Sequence, residues 1–282
     1  MTVQAAAGDA GAPYIDTWVT YPGEIHGRAR RDIPDPSRTN LVLNRQEVRV
    51  FDARPRRDEL SFDREGFRLF DHRSTIGTAT DMRAAGPAYL ASVAELVKVV
   101  SGADLVIPRP HGPIKRHSDR LNVPGAVRPS RCAHMDFTPD SIQTWITWLE
   151  SWVGLELRSH RRIAIFQAWR CLSPPPQDNT LVLCDASTLK ADDWIPLDVC
   201  MHTPYEAPGN QIEVKLCPYD PAQRWWYFSN LTVDELIVFK SFDSTPGWAA
   251  QPLHDSADLP GPPEGAVPRI SVECRLFAFW EA

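Results

Sequence analysis

The chain lacks any apolar run approaching the ~18 residues that a membrane-crossing helix needs. Its opening stretch, Met1 to Ala12, is small and polar, without the basic cluster and apolar core of a secretory leader. The cysteines Cys132, Cys171, Cys184, Cys200, Cys217 and Cys274 form no C-x-x-C pair, which removes the common cysteine frames for zinc. Most of them stand in apolar runs and read as buried free thiols of a reducing cytoplasm. An excess of positive charge is missing too: 30 Lys and Arg against 36 Asp and Glu give a formal net charge of −6. The arginines are mixed with acids, as from Arg28 to Asp32, so a nucleic-acid role has no electrostatic footprint. These absences predict a cytoplasmic protein that binds neither membrane nor nucleic acid.

What is present points to a globular fold. Hydrophobic residues make up 43% of the 282 and aromatics 10%, enough to bury a sizeable core. The 26 prolines and 15 glycines leave little room for long helices. One helix is predicted over 84–100, where Tyr89, Leu90, Val93, Leu96, Val97 and Val100 recur at three- and four-residue steps before Gly102. A second is predicted from about 140 to 153, with Asp140 in its first turn and Ile142, Trp145, Ile146, Leu149, Trp152 and Val153 as its apolar stripe. Short strand-like runs follow at 163–169, 180–184, 194–199, 212–216, 225–228, 236–242 and 270–280, separated by turn residues. About eight short strands with helices packed outside fit a mainly β, double-layer barrel. Residues 1–60 read as an N-terminal arm wrapping that core, with one strand-like run at 47–51. Residues 61–282 read as one domain. The arm could also support a homodimer.

Two features carry chemistry. In His134-Met135-Asp136, a strand would place the imidazole and the carboxylate on one face, since residues two apart project together. Residues 128–133 are compatible with such a strand. Joined by a distant histidine, the pair would make the 2-His-1-carboxylate set of non-heme Fe(II) oxygenases. The second feature is the last strand. Arg269, Ser271, Glu273 and Arg275 share one parity, and Val272, Cys274 and Leu276 the other. A polar row facing a barrel interior suits a dicarboxylate, because guanidinium offers paired donors and a hydroxyl adds a third. The alternative for this strand is an edge with a solvated face. Gln167, Trp169 and Arg170 are candidate pocket residues on the strand at 163–169. For Arg170 the competing reading is an ion pair with an acid such as Asp185, and for Trp169 it is core packing. The loop at 108–131 is expected to cover the barrel mouth.

Taken together, these segments resemble a known family. Arg131 to Thr138 is similar to a His-x-Asp-x-Thr segment, Phe166 to Leu172 to Asn-x-Trp-Arg-Pro-Leu, and Leu181 to Ser187 to Leu-Ala-x-Cys-Asp-x-x-Ser. Arg224 to Phe228 is similar to a Trp-Tyr-Phe block, Asp234 to Ser244 to Lys-x-x-Asp-Ser, Pro252-Leu253-His254 to Pro-His-Thr, and Arg269 to Arg275 to Arg-Glu-Ser-Ile-Glu-x-Arg. These blocks belong to the CmcJ/NvfI/AsaB-like family of non-heme Fe(II)/2-oxoglutarate-dependent hydroxylases and desaturases of secondary metabolism. The resemblance spans roughly residues 61–281. It departs from the family at Gln167, Cys171 and Leu253.

The resemblance implies a double-stranded β-helix (jelly-roll, cupin-like) barrel. It also implies Fe(II), 2-oxoglutarate and O2 as cofactors, and a small specialised metabolite as substrate. His134, Asp136 and His254 would be the metal ligands. Arg269 and Ser271 would hold the far carboxylate of 2-oxoglutarate, with Arg275 competing for that role. Two other readings stand beside it: a metal enzyme on the same fold without the keto acid, and an accessory subunit of a biosynthetic enzyme.

Overall fold

The computed structural model describes residues 12–190, 192–201, 211–245, 251–262 and 264–281. The strands are β1 (Tyr14–Pro22), β2 (Ala29–Asp32), β3 (Leu43–Asp52), β4 (Phe67–Asp71), β5 (Leu105–Pro108), β6 (Ile114–His117), β7 (Arg162–Cys171), β8 (Asn179–Cys184), β9 (Ile195–Cys200), β10 (Gln211–Leu216), β11 (Trp225–Tyr227), β12 (Glu235–Asp243), β13 (His254–Asp258) and β14 (Ile270–Trp280). The helices are α1 (Met82–Ser101) and α2 (Pro139–Val153). Both helix ends follow local chemistry. Asp81 caps α1 by accepting from the Arg83 N–H, and Thr138 and Ser141 cap α2 reciprocally with Pro139 at its first position. Gly102 and Gly154 close the two helices at φ of 68°, the left-handed conformation a glycine adopts without penalty.

One wall of the barrel is a six-stranded sheet in the order β4-β12-β7-β14-β5, with β6 also on β14. The other wall is a five-stranded sheet, β1-β3-β11-β8-β13, and a three-stranded one, β10-β9-β2. Residues 134 and 135 stitch these two together. His134 exchanges backbone hydrogen bonds with His254 at 3.1 Å each way, and Met135 with Lys215 at 2.9 and 2.8 Å.

The core divides by strand parity. Phe67, Leu69, Trp169, Ile237 and Phe239 of the large sheet meet Leu181, Leu183 and Trp226 of the facing one. Phe277, Phe279 and Ile165 continue the interior toward α2, whose Ile142, Trp145, Ile146 and Leu149 close that end over Leu197, Val199, Val214 and Leu216. On the outside, Tyr89, Leu90, Val93 and Val97 of α1 cover Phe166, Ala168, Val238, Cys274 and Leu276. With both faces covered, β7 is buried along nearly its whole length, which is why its sequence shows no polar alternation. The six cysteines are free, five of them buried. No helix among the described residues is long and apolar enough to cross a membrane.

Candidate metal centre

His134, Asp136 and His254 converge in space, with one ligand atom from each lying within 4.8 Å of the others. No strand runs through 128–133. Single bridges at His134 and Met135 do the positioning instead, and His254 is the first residue of β13. The imidazole Nδ1 of His134 lies 2.7 Å from the Cys132 carbonyl, and that of His254 lies 3.4 Å from the Pro252 carbonyl. A carbonyl only accepts, so each Nδ1 carries the proton and each Nε2 presents a lone pair. Those lone pairs face Asp136, with His134 Nε2 3.7 Å from Oδ1 and His254 Nε2 3.5 Å from Oδ2. The rings stand 4.4 Å apart, and Phe239 lies 4.9 Å from His254.

Electrostatics suit a cation. Burial pushes the pKa of both histidines down, that of His254 to about 4 with help from the neighbouring His134. Both are therefore neutral near pH 7. Burial acts to raise Asp136, but the Arg275 guanidinium and the two imidazoles outweigh it and hold the carboxyl well below the usual range. Two neutral imidazole nitrogens and one carboxylate, gathered on one side, are a fitting donor set for a divalent 3d ion such as Fe(II).

Asp136 is gripped from the opposite wall. Arg275 Nη2 donates to Oδ1 at 2.9 Å, and Gln167 Nε2 donates to Oδ2 and, at 3.0 Å, to Ser241 Oγ. Just before β14, Arg269 is 2% exposed, and its Nε and Nη1 find no partner among the described residues. The Ser271 hydroxyl is equally buried and unpaired. Arg269 lies over the Trp169 ring, 5.5 Å from its centroid. Buried donors left unmade are costly, so this pair forms a candidate cradle with the chemistry to take an anion. Between cradle and triad, Glu273 is neutralised by Arg116, whose Nε and Nη2 donate to its two oxygens at 2.9 and 2.7 Å. Arg116 also donates to the Arg128 carbonyl at 2.8 Å, tying the loop after β6 to the barrel.

Arg170 does not join this group. It sits on the outward face of β7, one residue off the parity of Gln167 and Trp169, and donates to the carbonyls of His72 and Val233 and to Tyr89 Oη. Nor does it pair with Asp185, whose nearest cation is Arg224 at 4.0 Å. A surface concavity lined by Arg54, His72, Arg73, Asn230, Thr232 and Asp234 among others shares none of the triad residues and neither Arg269 nor Ser271. Arg116 and Ser241 join the site without a sequence signal. Only their long-range contacts mark them.

Comparison with known proteins extends these findings. A family model described as the oxidoreductase/YMDC permease-like domain matches residues 22–279. An Fe(II)/2-oxoglutarate-dependent dioxygenase, nvfI of Aspergillus novofumigatus, is 30% identical over 256 residues, covering 88% of this chain and 89% of its own. A hydroxylase/desaturase, efuI of Hormonema carpetanum, is 26% identical over 290 residues, covering 96% of each. The solved structure of the iron and alpha-ketoglutarate-dependent endoperoxidase NvfI superposes with a TM-score of 0.79 at 27% identity, over 95% of this chain and 99% of the other.

Proposed function

This chain belongs to the family described as the oxidoreductase/YMDC permease-like domain, and on that premise we propose a residue-by-residue reading of its centre. The protein is an Fe(II)/2-oxoglutarate-dependent dioxygenase that hydroxylates, desaturates or otherwise oxidises a C–H bond of a small specialised metabolite. In our reading His134, Asp136 and His254 hold Fe(II), and Arg269 with Ser271 holds the far carboxylate of 2-oxoglutarate. The observation that carries the second assignment is the pair of unpartnered, buried donor groups on Arg269 and Ser271. Arg275 is engaged with Asp136 and so is the weaker candidate for the cosubstrate.

Bound together, Fe(II), 2-oxoglutarate and O2 supply the oxidant for C–H cleavage while the keto acid is converted to succinate and CO2. The chain's own part is placement. The Cys132 and Pro252 carbonyls fix the tautomer and rotation of the two imidazoles. Arg269 anchors one end of the diacid, which orients the other end toward the triad and lowers the entropic cost of assembly. Trp169 and Phe239 give the interior an apolar wall that limits water. Gln167 acts on Asp136 rather than on substrate.

The coarser features extend the reading. One oxygenase domain covers 61–282. The segment before it is drawn onto the barrel, as the pairing of β3 with β11 supports. Six free cysteines accord with a cytoplasmic location. Tyr14 and Trp18, about half exposed on β1, offer a surface for a homodimer, which sedimentation would reveal.

The test is an anaerobic titration of metal-free protein with Fe(II) and 2-oxoglutarate. A visible charge-transfer band that disappears in His254→Ala is the expected result. Bound iron without that band would favour the keto-acid-independent metal enzyme. Failure to bind iron would favour an accessory subunit.

A further inference from the structure

The two oxygens of Asp136 have almost the same relation to the histidines. Oδ1 lies 3.7 Å from His134 Nε2 and Oδ2 lies 3.5 Å from His254 Nε2. Nothing in the triad itself selects one oxygen as the ligand, and nothing in it prevents both from binding one ion. The selection comes from across the barrel. Arg275 and Gln167 face each other in register on β14 and β7 and reach the carboxylate side by side. Oδ1 receives a guanidinium N–H at 2.9 Å, and Oδ2 receives the neutral Gln167 amide.

Both donors are themselves held. The Arg275 guanidinium lies 5.9 Å from the ring centroids of Phe137 and of Trp145. The Gln167 amide is shared with Ser241 Oγ at 3.0 Å, and the Ser241 carbonyl accepts in turn from Gln251. A carboxylate oxygen that already serves a guanidinium is a poor donor to a second cation, whereas one that serves a neutral amide keeps most of its negative charge.

We propose that Arg275 is a positioning residue that withholds Oδ1 of Asp136 from the metal, so that Asp136 binds through Oδ2 alone, with Gln167 setting the plane of the carboxylate. This rests on the reading of His134, Asp136 and His254 as the metal ligands. The consequence is a coordination count. Three protein donors leave about three positions for exogenous ligands on a six-coordinate ion, and a chelating Asp136 would leave about two. Arg275 would then protect the position that a small gas or the second arm of a chelate must occupy.

The experiment uses the full chain with Mn(II) alone, and counts exchangeable metal-bound waters from electron spin-echo signals in 17O-labelled water. Wild-type protein is expected to show about three waters. Arg275→Met, which keeps length and removes the donor, is expected to lose about one of them while still binding Mn(II). Arg275→Lys, which restores a cationic donor, should recover it. Gln167→Met lacks any change of charge and should fold like wild type, with a distribution between the two counts. An unchanged count in Arg275→Met and Gln167→Met overturns the proposal, even if both variants melt at lower temperature. Wild-type protein that binds no Mn(II) overturns the ligand assignment, and the proposal with it.

Discussion

Arg269 allows a test in which ligand-free stability and cosubstrate binding move in opposite directions. It is 2% exposed, with Nε and Nη1 lacking partners among the described residues, and burial lowers its pKa to about 10. A buried donor without an acceptor costs roughly 1–3 kcal/mol. Arg269→Met keeps the stem against Trp169 and removes those donors. Without 2-oxoglutarate the variant is therefore expected to be more stable than wild type by about 1–3 kcal/mol, which raises the melting temperature by roughly 2–4 °C per kcal/mol. With the diacid the order reverses. Truncating one partner of a buried, hydrogen-bonded charge pair costs about 2–5 kcal/mol, a loss of about 30-fold to several thousand-fold in affinity. At a concentration near 100 times the wild-type dissociation constant, wild type gains about 2.7 kcal/mol of stability and the variant less than about 1 kcal/mol. Differential scanning fluorimetry of the metal-loaded proteins, across a 2-oxoglutarate series, should give two curves that cross. If Arg269→Met melts lower than wild type without the diacid, yet shifts just as far when it is added, Arg269 is a structural cation and the reasoning fails.

Further expectations follow from the same geometry. His134→Ala should remove Fe(II) binding measured by calorimetry while the far-UV spectrum stays unchanged; retained stoichiometric binding would refute the ligand assignment. In the metal-free protein two neighbours, His254 and Asp255, act on stability in opposite directions between about pH 4 and 6.5. Burial lowers His254 to about 4, so its contribution falls as pH drops below ~6.5, where the unfolded chain takes up a proton that the folded one refuses. Burial raises Asp255 to about 7 despite its bonds from the Thr20 and Ser256 N–H groups, so its contribution is present at low pH and is lost as pH rises toward 7. Asp255→Asn should expose the histidine slope, a loss of about 2 kcal/mol from His254 between pH 6.5 and 4.5 by urea unfolding; a profile parallel to wild type would contradict this. Phe277→Ala, at a side chain with no exposure, should cost roughly 3–5 kcal/mol, whereas Val99→Ala, 70% exposed on α1, should stay within about 0.5 kcal/mol.

Periodicity carried most of the architecture. Helices α1 and α2 announce themselves through apolar spacing and glycine caps, and β7, β8, β10, β12 and β14 through apolar runs between turns. The strands that escaped notice do so for physical reasons. β13 reads His-Asp-Ser-Ala-Asp, a loop-like composition that becomes a strand only because its polar groups are satisfied by partners far away. β1 and β2 lie in a segment whose prolines and arginines mask their alternation. β5 and β6 are four residues each, too short to show a period, and β6 converts part of the expected covering loop at 108–131 into sheet.

At the site, His134 and Asp136 do converge with His254, but bridges rather than the expected continuous strand set their directions. For Arg170, the alternation along β7 already placed it opposite Gln167 and Trp169; its outward burial against Tyr89 follows from that parity. What a single sequence could not reveal is pairing across the barrel. The bonds Gln167–Asp136 and Arg116–Glu273 join residues 31 and 157 positions apart, and only the closed fold brings them together.

The stitch at residues 134 and 135 has a mechanical meaning. It is two residues wide, and it joins the sheet that ends in β13 to the sheet that begins with β10. An ion gripped by His134 and His254 would rivet this hem from within, so loading the cofactor and closing the wall become a single event. The amides of His134, Met135, Lys215 and His254 would then serve as an occupancy gauge, exchanging with deuterium readily in the unloaded protein and slowly in the loaded one. Synthesis without iron would yield a barrel with a weak hem, vulnerable to proteolysis at that line before anywhere else in its core.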